Sequence, residues 1–392
     1  MKLGYIHFDR TEQKKYLAVI SRLSQGGAID ELGVGRIRDL YSDTMFPGVS
    51  SLHQHAKYFV VLPLLYRKAA TFKYARLSDV RPRIIQLEKD LTERLVRDSE
   101  IKTGITGSEF IGGKGYVRYD PTYIYSNGLY RFGILLNDNL EEMIYVASKK
   151  YHERPERLQS INDEQGDSED LYGNLQFCLI PTDTGYDWEK ECSLDLTESE
   201  AKFLMFHITH SVACKDSLLS YILKNRISLE DVETFEAFAT KYANTLPERL
   251  CKTVQNANYF AELVDGLFYW YNYLYSGNTD INMREKFDGW KNTKFQTNKD
   301  RMSESITGLK FNDNGSVTFC QIAIRYIDEG NWDELTKLIT ARERAIKLSR
   351  SKIGNSDYSY SPKSPIHDYT IQFRWETVRT MVQEIYKGLE NG

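Results

Sequence analysis

A helix running from Tyr259 to Tyr275, YFAELVDGLFYWYNYLY, sets positions 260, 263, 264, 267, 271 and 274 on one face and leaves Phe268, Trp270 and Tyr273 off it. Such a helix is apolar nearly all round, and it is stable only where other elements surround it. The same periodicity supplies the neighbours. Ser228 to Tyr242, Pro247 to Val254, Val317 to Glu329 and Trp332 to Leu348 each repeat apolar residues at helical spacing. Thr197-Glu198-Ser199-Glu200 has the form of a capping box ahead of AKFLMFHITHSVACKDSLLSYILKN, which predicts a long helix there. Residues 196–392 are expected to form an all-helical domain.

The N-terminal half is also mostly helical in pattern. LGYIHF (3–8) reads as a short strand, and Glu12 to Leu23 as a helix ended by Gly26 and Gly27. Ser50 or Ser51 is placed to cap SLHQHAKYFVVLPLLYR, in which Leu52, Ala56, Phe59, Val60 and Leu64 share a face. Residues 1–80 are expected to be one helical unit. In 81–150 an amphipathic helix from Ile84 to Val96 is followed by the glycine-rich TGITGSEFIGGKGY, then by a helix opened by Asp120-Pro121. That order is compatible with a helix-turn-helix or winged-helix module. The acidic INDEQGDSED and the short strand LQFCLIP make 151–195 a linker. The expected fold is mainly α and multi-domain.

Composition bounds the function. At 392 residues with 41% apolar and 27% charged side chains, the chain can bury two or three ordinary cores. A formal net charge of −4 provides no global field for nucleic acid or an anionic membrane, so any phosphate contact must be local. Five widely spaced cysteines (178, 192, 214, 251, 320) and a start, MKLGYIHFDR, without an apolar segment fit reduced thiols in a cytoplasmic protein. The longest apolar run, Tyr58 to Tyr66, is interrupted by Pro63, so no membrane span is expected. The 27 Tyr and 18 Phe suit a helix-packed core, or a surface on which unpaired bases stack.

Several motifs invite a chemical reading. Gly107 and Gly112 have phosphate-loop separation, but Gly113 stands where the lysine belongs and Gly115 where a Ser or Thr should bind magnesium. A turn or wing tip fits better, with Lys114 and Arg118 available to a phosphate backbone. His207, His210 and Cys214 are spaced for one face of a helix, yet without CxxC or HExxH they read first as core side chains and second as metal ligands. Asp195, Glu200 and Lys202 resemble the two acids and lysine of metal-dependent nucleases, although Glu200 already has a capping role. Arg342, Arg344, Lys347, Arg350 and Lys352 are expected to be a solvated charged face, and His367-Asp368 stands alone. No catalytic set and no cofactor is assigned.

DELGVGRIRDLYSDTMFPGVSSLHQHAKYFVVLPLLYR, DPTYIYSNGLYRFGIL, FAELVDGLFYWYNYLY, ARERAIKL and IQFRWETVRTMVQEIYKGL together resemble the bacterial domain-of-unknown-function six-three-six-one family. Leu64 departs from a tryptophan in that pattern, and Asn127-Gly128 from a bulkier pair. The resemblance implies an accessory component of a bacterial defence island, found beside helicases, methylases and nucleases. The expectation is a non-enzymatic part of a DNA-targeting anti-phage assembly that binds DNA, itself, or a helicase-like or nuclease-like protein of the same gene cluster. The cations attached to the matched motifs, Arg36, Arg38, Lys57 and Arg131, would meet phosphates, or would pair with Asp30, Asp39 and Asp43 as salt bridges. The alternative is a metal-dependent nuclease or hydrolase.

Overall fold

The computed structural model describes residues 30–113, 115–153, 177–307, 314–367 and 369–390. The expected strand at 3–8, the helix at 12–23, most of the acidic linker, Lys114 and Asp368 lie outside them. The chain is mainly helical: α1 (Gly35–Met45), α2 (Tyr58–Ala70), α3 (Val80–Asp98), α4 (Pro121–Arg131), α5 (Leu140–His152), α6 (Glu198–His210), α7 (Leu218–Lys224), α8 (Phe235–Tyr242), α9 (Glu248–Tyr275), α10 (Ile281–Trp290), α11 (Gln296–Thr307), α12 (Asn314–Glu329), α13 (Trp332–Lys347) and α14 (Trp375–Glu390). Among the described residues none of these is long and apolar enough to cross a membrane.

Two compact units divide the chain, Met1–Tyr41 with Thr245–Ile371, and Ser42–Asn244 with Gln372–Gly392. The boundaries drawn from sequence at 80, 150 and 195 all fall inside the second unit. The physical reason is α2: it is buried along nearly its whole length, and α3, α4, α5 and α6 all pack on it. Among the described residues of 81–150 there is no strand, and so no wing hairpin among them. The described part of LQFCLIP, residues 177–181, carries an isolated antiparallel bridge between Leu135 and Cys178.

In the first unit α9 is the axis, with α10 and α11 packed on it and α12 and α13 beyond. The two helices expected at 247–254 and 259–275 are one, because no breaker separates them. Gly266 makes the close packing practicable: a Cβ there would lie 2.3 Å from the Trp290 ring. That ring also donates Nε1–H to the Glu262 carbonyl at 2.8 Å. Farther along α9 the Asn272 amide accepts from Ile366 N and donates to Ile366 O, both at 2.8 Å. It stitches the irregular segment after α13 to the core.

The basic cluster at 342–352 is not a solvated face. Arg342 donates to the Leu32 carbonyl at 2.9 Å and to Ser316 Oγ at 3.0 Å. Lys347 and Lys352 reach the buried Glu31 at 2.5 and 3.2 Å. Arg344 and Arg350 alone of the five are exposed. Buried Glu343 accepts from Tyr271 OH at 2.6 Å and from the amides of Lys352 and Ile353 at 2.8 and 3.1 Å. The start of the described chain is thus fastened by Arg342 through the Leu32 carbonyl and by two lysines whose charge meets a buried acid.

In the second unit α2 begins at Tyr58 and not at the expected serine cap. Ser50 Oγ instead accepts from Leu52 N at 3.3 Å, and Ser50 N–H donates to His53 Nδ1 at 3.2 Å, which closes a local turn. The long helix expected after Thr197 is two. α6 stops at His210, Ser211 Oγ accepts from Cys214 N at 3.2 Å, and Ser217 caps α7 through Ser220 N. Polar side chains that compete for backbone groups end helices in this way.

Candidate functional site

A cleft of about 800 Å³ opens in the second unit between α14 and the segments around Glu100, Asp195 and Arg226–Glu230. Its wall carries the carboxylates Glu100, Asp195, Glu230, Glu384 and Glu390 against Arg226, Lys387 and His55. α14 is strongly amphipathic, with Trp375, Val378, Met381, Val382 and Ile385 buried, so Glu384 and Lys387 face outward by helical spacing.

His55 is held on both sides. Nδ1 lies 2.6 Å from Glu384 Oε1 and Nε2 lies 2.8 Å from the Thr103 carbonyl. A carboxylate and a carbonyl both accept, so this pair of neighbours favours the doubly protonated ring. Burial lowers its pKa, but the bonds to Glu384 and Thr103 and the Glu384 charge outweigh it, and the net shift is upward. The other Glu384 oxygen takes the Ala56 amide at 2.6 Å. Gly104, at φ +78°, leaves room for the imidazole, since a Cβ would stand 2.8 Å from Nε2.

Behind the cleft, Lys57 and Glu200 form an ion pair at 2.6 Å with side chains 1% and 0% exposed. The Lys57 ammonium also donates to the Asp195 carbonyl at 2.9 Å and sits 4.8 Å from the centre of the Tyr186 ring. Glu200 accepts from Tyr186 OH at 2.7 Å and from Thr197 N at 2.9 Å, which completes the capping box read from sequence. The pair is saturated with partners and acts as a structural rivet. On the cleft side the Asp195 carboxylate meets Lys387 at 2.6 Å.

A second buried acid, Glu88, accepts from Thr122 N at 2.7 Å and Tyr116 OH at 3.3 Å. Burial first, and then the Asp120 charge, push its pKa up to about 7. Asp120 caps Tyr123 N at 2.8 Å and pairs with Arg81, so two carboxyls serve one helix N-terminus.

The cations expected to meet phosphates are divided between the two units. Arg36 is exposed on α1, and Arg38 pairs with Asp39 at 2.9 Å, both in the first unit. Of the other acids offered as partners, Asp43 pairs with Arg374 at 2.7 Å and Asp30 accepts from Gly35 N. In the second unit Lys57 is buried and offers no face to a phosphate, Arg118 is exposed beside Tyr119, and Arg131 is exposed at the end of α4.

The metal reading of His207, His210 and Cys214 is not supported by their placement. Buried Cys214 directs Sγ to the Pro47 carbonyl at 3.5 Å, while His210 stacks on Phe206. Among the described residues no group of three or more His, Cys, Asp or Glu could hold a metal. The nuclease-like trio is likewise dispersed, because Glu200 is paired with Lys57, Asp195 with Lys387, and Lys202 with Glu198 at 2.5 Å. Sequence reasoning missed His55 and Glu384, which stand 329 positions apart. No local signal joins them; the charge of Lys57, next to the apolar run, pointed only to a facing acid, which is Glu200.

The model of the family of unknown function DUF6361 matches residues 1–276. The chain belongs to this family. No curated protein and no solved structure matches it. The DUF6361 match takes in His55, Lys57, Asp195, Glu200 and the Arg226–Glu230 wall, whereas Glu384 and Lys387 of α14 lie beyond it. The later motifs at 341–348 and 371–389 lie beyond it as well.

Proposed function

We propose that this DUF6361 protein is a non-catalytic, cytoplasmic component of a DNA-targeting anti-phage assembly, and that the cleft of its second unit receives a cationic segment of a helicase-like or nuclease-like partner. The charge of the cleft carries the reading. His55 and Glu384 neutralise each other, as do Lys387 and Asp195, which leaves Glu100, Glu230 and Glu390 against Arg226. A surplus of carboxylates in a concave wall attracts Lys and Arg side chains and repels a phosphate backbone. The His55–Glu384 pair, held on both sides, gives a rigid floor, so little ordering would be required on binding. The test is co-purification of the full chain with each protein encoded beside it, with mass measured in solution. Association that is lost in Glu230→Lys/Glu390→Lys, both exposed positions, is the expected result. Retention of every partner by that variant, or a monomer indifferent to all of them, would remove the cleft reading.

A further inference from the structure

We infer that the surface where α4 and α6 end is a stacking site for unpaired nucleotides of a single-stranded nucleic acid. This rests on the DNA-directed part of the reading above and is independent of the cleft. Three large apolar side chains are left in solvent there: Tyr130 at 46%, Phe206 at 56% and Val212 at 89% exposure. They share one surface because the two helix ends are tied together. Cys214 Sγ lies 3.6 Å from the Arg131 carbonyl, His207 hydrogen-bonds the Phe132 backbone, and a Cβ on Gly133 would meet Ser211 at 3.7 Å.

The rings are fixed in advance. Phe206 and His210 stack with centroids 4.4 Å apart and planes 22° from parallel. His210 Nδ1 is held 2.9 Å from the Phe206 carbonyl. A preformed pair of flat faces loses little freedom when a third flat group is added. Arg131 and Lys215 are exposed on the same surface, and Lys202, one turn back on α6, is paired with Glu198. The carboxylate closest in sequence, Asp216, adjoins Lys215.

Exposed ring faces beside cations suit an unpaired nucleotide, which brings a π face and a phosphate together. A duplex hides its base faces and could use only the cations. A purely apolar protein patch would answer Phe206 and Val212 and would leave the charge of Arg131 unanswered.

The test uses the full chain and a fluorescein-labelled thymidine oligonucleotide of about twenty nucleotides, against a duplex of equal length, by anisotropy at two salt concentrations. The expected result is binding of the single strand at least about tenfold tighter than the duplex. Phe206→Ala/His210→Ala should weaken it by about tenfold or more with unchanged circular dichroism, and Phe206→Trp should retain it. Arg131→Gln should lower the salt slope by about 0.7. Equal affinity for duplex, no binding at low salt, or a double variant that binds as before would each overturn the inference. So would a dimer in solution that Phe206→Ala dissociates, since the surface would then be an interface between copies of the chain.

Discussion

Substituting Lys57 by Met keeps most of the side-chain volume and removes the charge that faces Glu200. The carboxylate would remain 0% exposed, with Tyr186 OH and Thr197 N as its remaining donors, and the Asp195 carbonyl would lose its ammonium. Breaking a buried ion pair from one side costs about 3–5 kcal/mol, because the surviving charge is left uncompensated. The two remaining donors to Glu200 place the expected cost at the lower end, about 3 kcal/mol. The second substitution is the discriminating one. Lys57→Met/Glu200→Gln removes the stranded charge while the amide oxygen can still accept from Thr197 N or Tyr186 OH, so the double variant should recover more than half of the loss. Urea unfolding at pH 7, followed by circular dichroism and tryptophan fluorescence, reads both values. A single variant within about 1 kcal/mol of the parent, or a double variant less stable than the single, would refute the rivet argument.

Three further outcomes are expected. Glu88 has a folded pKa of about 7 against an ordinary 4.5, so its contribution to stability is fully present below 4.5 and is lost as pH rises through 7. Relative to Glu88→Gln, the parent should therefore lose up to about 3 kcal/mol between pH 4.5 and 8, and a difference that is flat with pH would show that the acid ionises freely. For His55 the folded pKa is raised, so its stabilisation is present below its unfolded value of about 6.5 and falls as pH rises through the folded one. Nitrogen-edited NMR should find protons on both ring nitrogens at pH 6, and Glu384→Gln should lower the titration midpoint; a midpoint unmoved by that change would contradict the clamp. Gly266→Ala should destabilise by about 1–3 kcal/mol in thermal unfolding, because the new methyl overlaps the Trp290 ring, and a neutral effect would mean that ring is free to move.

Local pattern was enough to read the helices, since α3, α9 and α13 are written in apolar spacing, and the Thr197–Glu200 cap is written in two residues. Their ends were harder. Ser211 and Ser217 divide what periodicity joins, because a side-chain oxygen competing for a backbone amide leaves no trace in hydrophobic spacing. The domain limits were not legible, since each unit is completed by segments far apart in sequence. The charged residues show the same limit. A basic run at 342–352 looks like a solvated face until Glu31 is seen beneath it, and Lys57 looks like a phosphate contact until Glu200 is placed opposite. Pairing across hundreds of positions is a tertiary fact that composition cannot carry.

The grip of Arg342, Lys347 and Lys352 on Glu31 and Leu32 spans 310 to 321 positions, and that of Glu384 on His55 spans 329. A ribosome therefore exposes the first segment of each unit long before it makes the residues that complete it. Chains of such high contact order fold slowly and expose apolar surface while they wait. A nascent chain halted at residue 276, where the family match ends, would carry Glu31 without its two lysines and the residues around His55 without α14. The family match therefore ends before the residues that complete either unit, and its limit is not a limit of the folded bodies.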